Sequence, residues 1–259
     1  MKILLIAGHG GTPYDPGACG NGYKEAVETR RITTALAPML RKYGFYVSMY
    51  DQNNDAYKIL KSGGSLPLSG VGYVIEVHLN AGVNDKGNGN TTGVEVLVHT
   101  NESGVTVEEA ICKRISALGF KNRGVKRRGD LLVMNTVHRN GISHALIETC
   151  FVDDADDMKL YKAKFNDIVK AIADGVAEGF GKEVEEDMTA QEVKKIVNQE
   201  LASYAPVYTT IADVPDWGKE TVEKLVSKGW LKGEGDGNLN LPEEMLRVLV
   251  INDRAGIYG

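Results

Sequence analysis

With 259 residues, 42% of them hydrophobic and 25% charged, the chain has the make-up of a soluble globular protein, which excludes a disordered or fibrous one and leaves room for one substantial domain plus a small one. Its formal charge of −5 argues against nucleic acid as a partner, because phosphate binding wants concentrated Lys and Arg. Three cysteines without C-x-x-C spacing (Cys19, Cys112, Cys150) exclude a disulfide framework, and no apolar run approaches the ~20 residues of a membrane-spanning helix.

In chain order, short apolar runs at 3–7, 45–50, 72–77, 94–98, 131–134 and 145–147 predict strands. Between them, helical spacing predicts a helix over 25–43 through Ile32, Leu36, Met39 and Leu40, closed by Tyr43-Gly44. The same spacing predicts helices over 107–118 (Ile111, Ile115, Leu118) and 165–180 (Ile168, Ile172, Val176, Phe180). Strands alternating with helices predict an α/β domain: a mostly parallel twisted sheet of about six strands flanked by helices. Met1-Lys2 leads directly into the first apolar run, which is too short for a signal segment, so the expectation is synthesis in a cytoplasm.

Two loops are expected. Residues 84–92, with Gly87 and Gly89, read as a mobile segment bordering a groove, and the basic cluster Lys121, Arg123, Lys126, Arg127, Arg128 as a solvated loop or a seat for an anion. After Gly181 an acidic stretch, 182–188, reads as a linker between a domain over 1–181 and a module over 189–259. In that module Thr189-Ala190-Gln191-Glu192 fits a capping box, and 216–229 and 242–252 carry helical patterns, so it is expected to be small and mainly helical.

His9, Glu25, His78 and Glu148 carry the chemistry. Hydrolytic zinc sites need three protein ligands and an open position for water, and two imidazoles with one carboxylate supply that, while a second carboxylate can drive water against a bond. His9 follows the first predicted strand inside Gly8-His9-Gly10-Gly11, His78 ends the third, Glu148 ends the last, and Glu25 opens the first long helix. In open α/β sheets ligands bind outside the carboxyl ends of strands, so four residues far apart in sequence can meet there. The Gly-rich stretch lacks the Lys-Ser/Thr ending of a phosphate loop, and its glycines instead let the backbone turn tightly. Glu28, one turn beyond Glu25, is the alternative carboxylate.

These residues sit in segments that resemble the zinc-dependent N-acetylmuramoyl-L-alanine amidases of the type 3 family, the catalytic domain shared by bacterial autolysins and phage endolysins. Ile6-Ala7-Gly8-His9-Gly10-Gly11 resembles the family's Asp-Pro-Gly-His-Gly-Gly, and Gly17-Ala18 with Gly22-Tyr23-Lys24-Glu25 its Gly-Ala…Gly-x-x-Glu. Glu76-Val77-His78-Leu79-Asn80-Ala81 resembles Ser-x-His-x-Asn-Ala, and Glu148-Thr149-Cys150-Phe151 resembles Glu-x-Gly-Phe, with Glu76 in place of Ser and Cys150 in place of Gly. Arg123-Gly124-Val125 matches a recurrent Arg-Gly-Val.

The resemblance implies Zn²⁺ held by His9, Glu25 and His78, Glu148 as general base, and Asn80 and Arg123 as substrate contacts. The implied activity is cleavage of the bond between N-acetylmuramic acid and L-alanine in bacterial peptidoglycan. Together with the start of the chain, it implies a phage or prophage endolysin that waits in the host cytoplasm and acts on the wall after release. Segments 211–217 and 225–233 resemble a degenerate surface-layer-homology repeat, which implies attachment to a secondary wall polymer or a role in assembly.

Two other readings stay open: a zinc carboxypeptidase or aminopeptidase, and a non-catalytic wall-binding protein. His99, His138 and His144 are spare histidines, and Cys150 is expected to be a buried strand residue rather than a nucleophile.

Overall fold

A computed structural model describes residues 1–11, 15–184, 194–195, 197–198, 206–235 and 237–259. The chain divides into two compact units, Met1–Val184 and Glu185–Gly259.

In the first unit the strands are β1 (Lys2–Ala7), β2 (Cys19–Gly20), β3 (Tyr23–Lys24), β4 (Tyr46–Met49), β5 (Tyr73–Asn80), β6 (Val94–His99), β7 (Asn122–Arg128) and β8 (Ser143–Phe151). The helices are α1 (Glu25–Lys42), α2 (Ala56–Lys61), α3 (Thr106–Ser116), α4 (Leu132–Arg139), α5 (Ala155–Ala163) and α6 (Phe165–Gly179). Six strands form one sheet in the order β4-β1-β5-β8-β6-β7, parallel except where β6 runs against β8. The expected mostly parallel, helix-flanked sheet is therefore what the chain forms.

The sheet is covered on both faces, which is why β1 and β5 read as continuous apolar runs rather than alternating ones. Ile3, Leu5, Ile75 and Val77 pack towards α1, α3 and α6, while Leu4, Ile6 and Val74 pack with Val133 and Val137 of α4 and Ala56 of α2. Ile3, Leu4, Leu5 and Ile6 are at most 1% exposed, and each contributes roughly 2 kcal/mol on burial. The strand that delivers His9 is thus firmly anchored.

One predicted strand is wrong. Residues 131–134 do not enter the sheet but open the helix α4, whose Val133, Met134 and Val137 form a buried face. A four-residue apolar run has no period of its own, and only the continuation to Val137 marks the helix. The edge position in the sheet is taken instead by β7, which contains most of the basic cluster expected to be a loop and pairs in parallel with β6. Charged side chains suit an edge strand, whose outer side must stay unpaired.

Residues 84–92 form a loop, as expected, and its backbone is hydrogen-bonded to the acidic segment that follows β8. Asp153 Oδ2 accepts from the backbone N–H groups of Gly82, Val83 and Asn84, Asp156 Oδ2 from those of Asn88 and Gly89, and Asp154 Oδ2 from that of Thr92.

The second unit holds the helices Asp216–Ser227 and Glu243–Arg254 and a two-stranded ribbon of Val207–Tyr208 with Leu241–Pro242. Its small core consists of Val214, Val222, Leu239, Leu241, Leu246 and Val250. The capping box expected at 189–192 and most of the linker expected over 182–188 lie outside the described residues.

Candidate metal centre

At the carboxyl end of β1 the chain turns sharply, and His9 adopts φ +64°, the left-handed region that side-chain-bearing residues rarely occupy. Arg30 of α1 holds this turn. It donates from Nη2 to the carbonyl of His9 at 3.0 Å, from Nη1 to those of Gly8 and Ala26, and from Nε to that of Gln52. Thr29 Oγ1 also donates to the Gly8 carbonyl.

The glycines here are spatial requirements. A Cβ on Gly8 would lie 2.4 Å from His78 Cε1, and one on Gly17 would lie 2.7 Å from both Glu25 Oε2 and His9 Cδ2. Gly8 also donates its N–H to the Val77 carbonyl, which locks the turn to β5.

Glu25, the first residue of α1, is 3% exposed and sits between the two imidazoles. His9 Nε2 is 3.0 Å from Glu25 Oε2, and His78 Nδ1 is 2.9 Å from Oε1. The backbone N–H groups of Ala18 and Leu79 donate to the same carboxylate and fix its plane. One donor atom from each of His9, Glu25 and His78 lies within 4.8 Å of the others, a grouping found nowhere else among the described residues. Glu28 points away: its carboxylate accepts from the Tyr161 hydroxyl and pairs with Arg31.

Each imidazole is also held from behind. Asp15 Oδ1 lies 3.2 Å from His9 Nδ1, and Glu76 Oε1 lies 3.1 Å from His78 Nε2. Two imidazoles backed by carboxylates and aimed with a third carboxylate at one point fit a divalent cation of borderline softness with an open position.

The electrostatics agree. Burial alone would raise the Glu25 carboxyl, but hydrogen bonds and attraction from His78 and His9 win and bring it to about 2. Burial opposes protonation of His9 and His78, yet their carboxylate neighbours raise both. A site in which carboxylates outnumber the charges that balance them is one that a cation would complete.

Glu148 on β8 is the register partner of His78 on β5, so the two stand side by side across a parallel ladder. Its Oε2 is shielded from solvent and has no hydrogen-bond partner. Burial, with repulsion from Glu25, Glu95 and Glu76 outweighing the attraction of His78, holds its carboxyl up to about 7. Glu95, buried and opposite Glu148 on β6, accepts from Asn80 Nδ2 at 2.9 Å and from Arg123 Nε at 2.8 Å. Arg123 also lies over the Phe151 ring. Asn80 and Arg123 are thus joined through Glu95 beside Glu148.

A cleft of about 310 Å³ opens next to His9 and His78, with Asp15, Asp55 and Glu76 on its polar side and Tyr57, Leu131, Leu132 and Leu146 on its apolar side.

Of the spare histidines, His99 and His138 stack on each other at 3.6 Å, and His144 is buried against Glu76. Cys150 is fully buried against Met158, and burial pushes its thiol well up, so it offers no thiolate. Asp15, Arg30, Glu76 and Glu95 are the contributors that sequence reading did not single out. An i+4 arginine on a helix carries no signal of its own, and Glu76 registered only as a departure from a pattern.

Arg30→Lys should show what the guanidinium fork contributes, since one ammonium cannot span the carbonyls that Arg30 joins. A loss of about 2 kcal/mol in stability is expected, together with weaker binding of divalent metal. Denaturant midpoints that match the wild type would show that the turn holds itself.

Comparison with known proteins gives concordant findings. A family model described as N-acetylmuramoyl-L-alanine amidase matches residues 3–178. The "Probable autolysin PH" of Staphylococcus aureus (strain NCTC 8325 / PS 47) is 31% identical over 190 residues, covering 68% of this chain and 38% of that protein. The endolysin of Bacillus phage SPP1 is 29% identical over 181 residues, covering 68% of this chain and 65% of that one. The chain therefore spans less than two thirds of either relative's length. Among solved structures, the catalytic domain of the CD27L endolysin targeting Clostridia Difficile superposes with a TM-score of 0.57 at 28% identity, covering 71% of this chain and 99% of that one.

Proposed function

Since the chain belongs to the N-acetylmuramoyl-L-alanine amidase family, we propose that it hydrolyses the amide between N-acetylmuramic acid and the L-alanine of the peptidoglycan stem, as an endolysin. His9, Glu25 and His78 hold Zn²⁺ in this reading, and Glu148 is the general base. Zn²⁺ bound there supplies Lewis acidity, which lowers the pKa of water from ~15.7 toward ~7 and polarises the scissile carbonyl.

The remaining steps fall to this chain's own groups. Glu148 takes the proton of the attacking water and passes it to the departing amine of L-alanine. Burial raises the Glu148 carboxyl toward the range in which one group can both take and return a proton, and a cation beside it would draw it part of the way back down. The apolar wall of Tyr57, Leu131 and Leu132 excludes water from one side of the cleft, and Asn80 and Arg123, oriented by Glu95, reach the substrate beside Glu148. Residues 189–259 serve wall attachment or assembly in this reading, consistent with the exposed Trp230 of the second unit. No described helix is long and apolar enough to cross a membrane.

The observation that carries the proposal is the pairing of Glu148 with His78, which sets an unpartnered carboxylate oxygen beside the only cluster of metal donors among the described residues. Digestion of peptidoglycan with labelling of new amino termini tests it. New L-alanine termini are expected, lost with chelator and restored by Zn²⁺. New termini elsewhere in the stem would point to a peptidase, and undiminished cleavage without metal would remove the zinc reading.

A further inference from the structure

Glu76 is a buried carboxylate, 6% exposed, whose ion-pair partners among the described residues are two histidines and no lysine or arginine. A carboxylate so placed is costly unless it is hydrogen-bonded on both oxygens, and Glu76 is. Oε1 lies 3.1 Å from His78 Nε2, and Oε2 accepts from His144 Nε2 at 3.0 Å. His144 is itself 1% exposed, and its Nδ1 has no hydrogen-bond partner, so its described hydrogen bonding serves Glu76 alone.

The placement is imposed by the strand. Residues two apart on β5 face the same side, so Glu76 stands directly behind His78. Val74 and His144 are register partners on β5 and β8, which brings the second imidazole to the far side of the carboxylate.

From this geometry we infer that Glu76, steadied by His144, is the positioning residue that fixes the orientation and tautomer of His78 for the cation; the inference rests on His78 being a metal ligand, as proposed above. His78 turns Nδ1 toward Glu25 and Nε2 toward Glu76. A ring that binds a cation through Nδ1 carries its proton on Nε2, and the buried Glu76 carboxylate beside that nitrogen is its acceptor. A carboxylate acceptor holds the ring plane and makes the ligating nitrogen a stronger donor. The serine expected at this position would be too short and uncharged to do the same.

The test uses the full chain, with Zn²⁺ affinity measured by competition against a chromophoric chelator. Glu76→Ser is expected to weaken Zn²⁺ binding by about 10–100-fold. Glu76→Gln should lose less, because its amide oxygen still accepts from His78 Nε2–H. Nitrogen-15 spectra of the Zn²⁺-loaded protein should show His78 as the Nε2–H tautomer, with that proton exchanging slowly in wild type and quickly in Glu76→Ser. If Glu76→Ser does not fold, Glu76→Gln carries the test, and affinity at least threefold weaker than wild type supports the role.

Glu76→Ser, folded by circular dichroism and binding Zn²⁺ within threefold of wild type, overturns it, as does Glu76→Gln within threefold where Glu76→Ser does not fold. A wild-type chain that binds no Zn²⁺ overturns this inference and the metal reading together, whereas tight wild-type binding with unaffected variants overturns this inference alone.

Discussion

Glu148→Gln is expected to remove amide hydrolysis while making the metal-free protein more stable at neutral and alkaline pH. General acid-base catalysis contributes about 10²–10⁴ in rate, and glutamine can neither accept the water proton nor return it. The stability gain follows from the same carboxyl. It rises from 4.5 to about 7 on folding, mainly through burial. Below the unfolded value both states are protonated and the group costs nothing. Between 4.5 and about 7 the unfolded chain releases the proton and the folded one keeps it, so stability falls as pH rises through that window.

The full rise corresponds to roughly 3 kcal/mol, an upper figure because relaxation and water entry soften it. Glutamine removes the penalty. Chelated wild type and variant should therefore have similar denaturant midpoints at pH 4.5 and diverge by pH 8, with the variant ahead. Equal midpoints at pH 8 would mean that Glu148 is not held in the environment that suits a base. With Zn²⁺ bound the difference should shrink, since a nearby cation favours the charged carboxylate.

Gly8→Ala is expected to lower Zn²⁺ affinity by at least about 100-fold, on the scale of losing a supporting contact around a ligand or more. The new methyl would stand 2.4 Å from one ring atom of His78 and 2.6 Å from two others, so the imidazole must leave its place between Glu25 and Glu76. The backbone cannot yield easily, because Gly8 is bonded to Val77 and its carbonyl is held by Thr29 and Arg30. Gly104→Ala is the matching control: nothing lies within 4 Å of its Cβ position, and its backbone is not in the left-handed region. Unchanged Zn²⁺ binding in a folded Gly8→Ala protein would show that His78 does not need its observed position.

Much of this protein could be read from the order of its residues. Continuous apolar runs bounded by glycines mark strands buried on both faces, and i, i+4 spacing marks α1, α3 and α6, because these patterns are local consequences of backbone period. His9, Glu25 and His78 stand out for a similar reason: each has a short context of its own, and the structure brings the three together. Residues 131–134 carry no such mark, because four apolar residues fit either period, and α4 is decided by how Val133 and Val137 pack against β1 and β5.

What only the tertiary structure decided are the relations across the sheet. Glu148 stands out in the sequence, but its surroundings come only from register, which sets it beside His78 and shields one of its oxygens. Glu28 is set aside because α1 turns it toward Tyr161. His144, an unremarkable histidine in sequence, lies against Glu76 only because β5 and β8 are neighbours 68 positions apart in the chain. Composition and spacing carry the short-range physics of backbone period and residue chemistry. The partners of a buried charge are fixed by long-range packing, which no local pattern encodes.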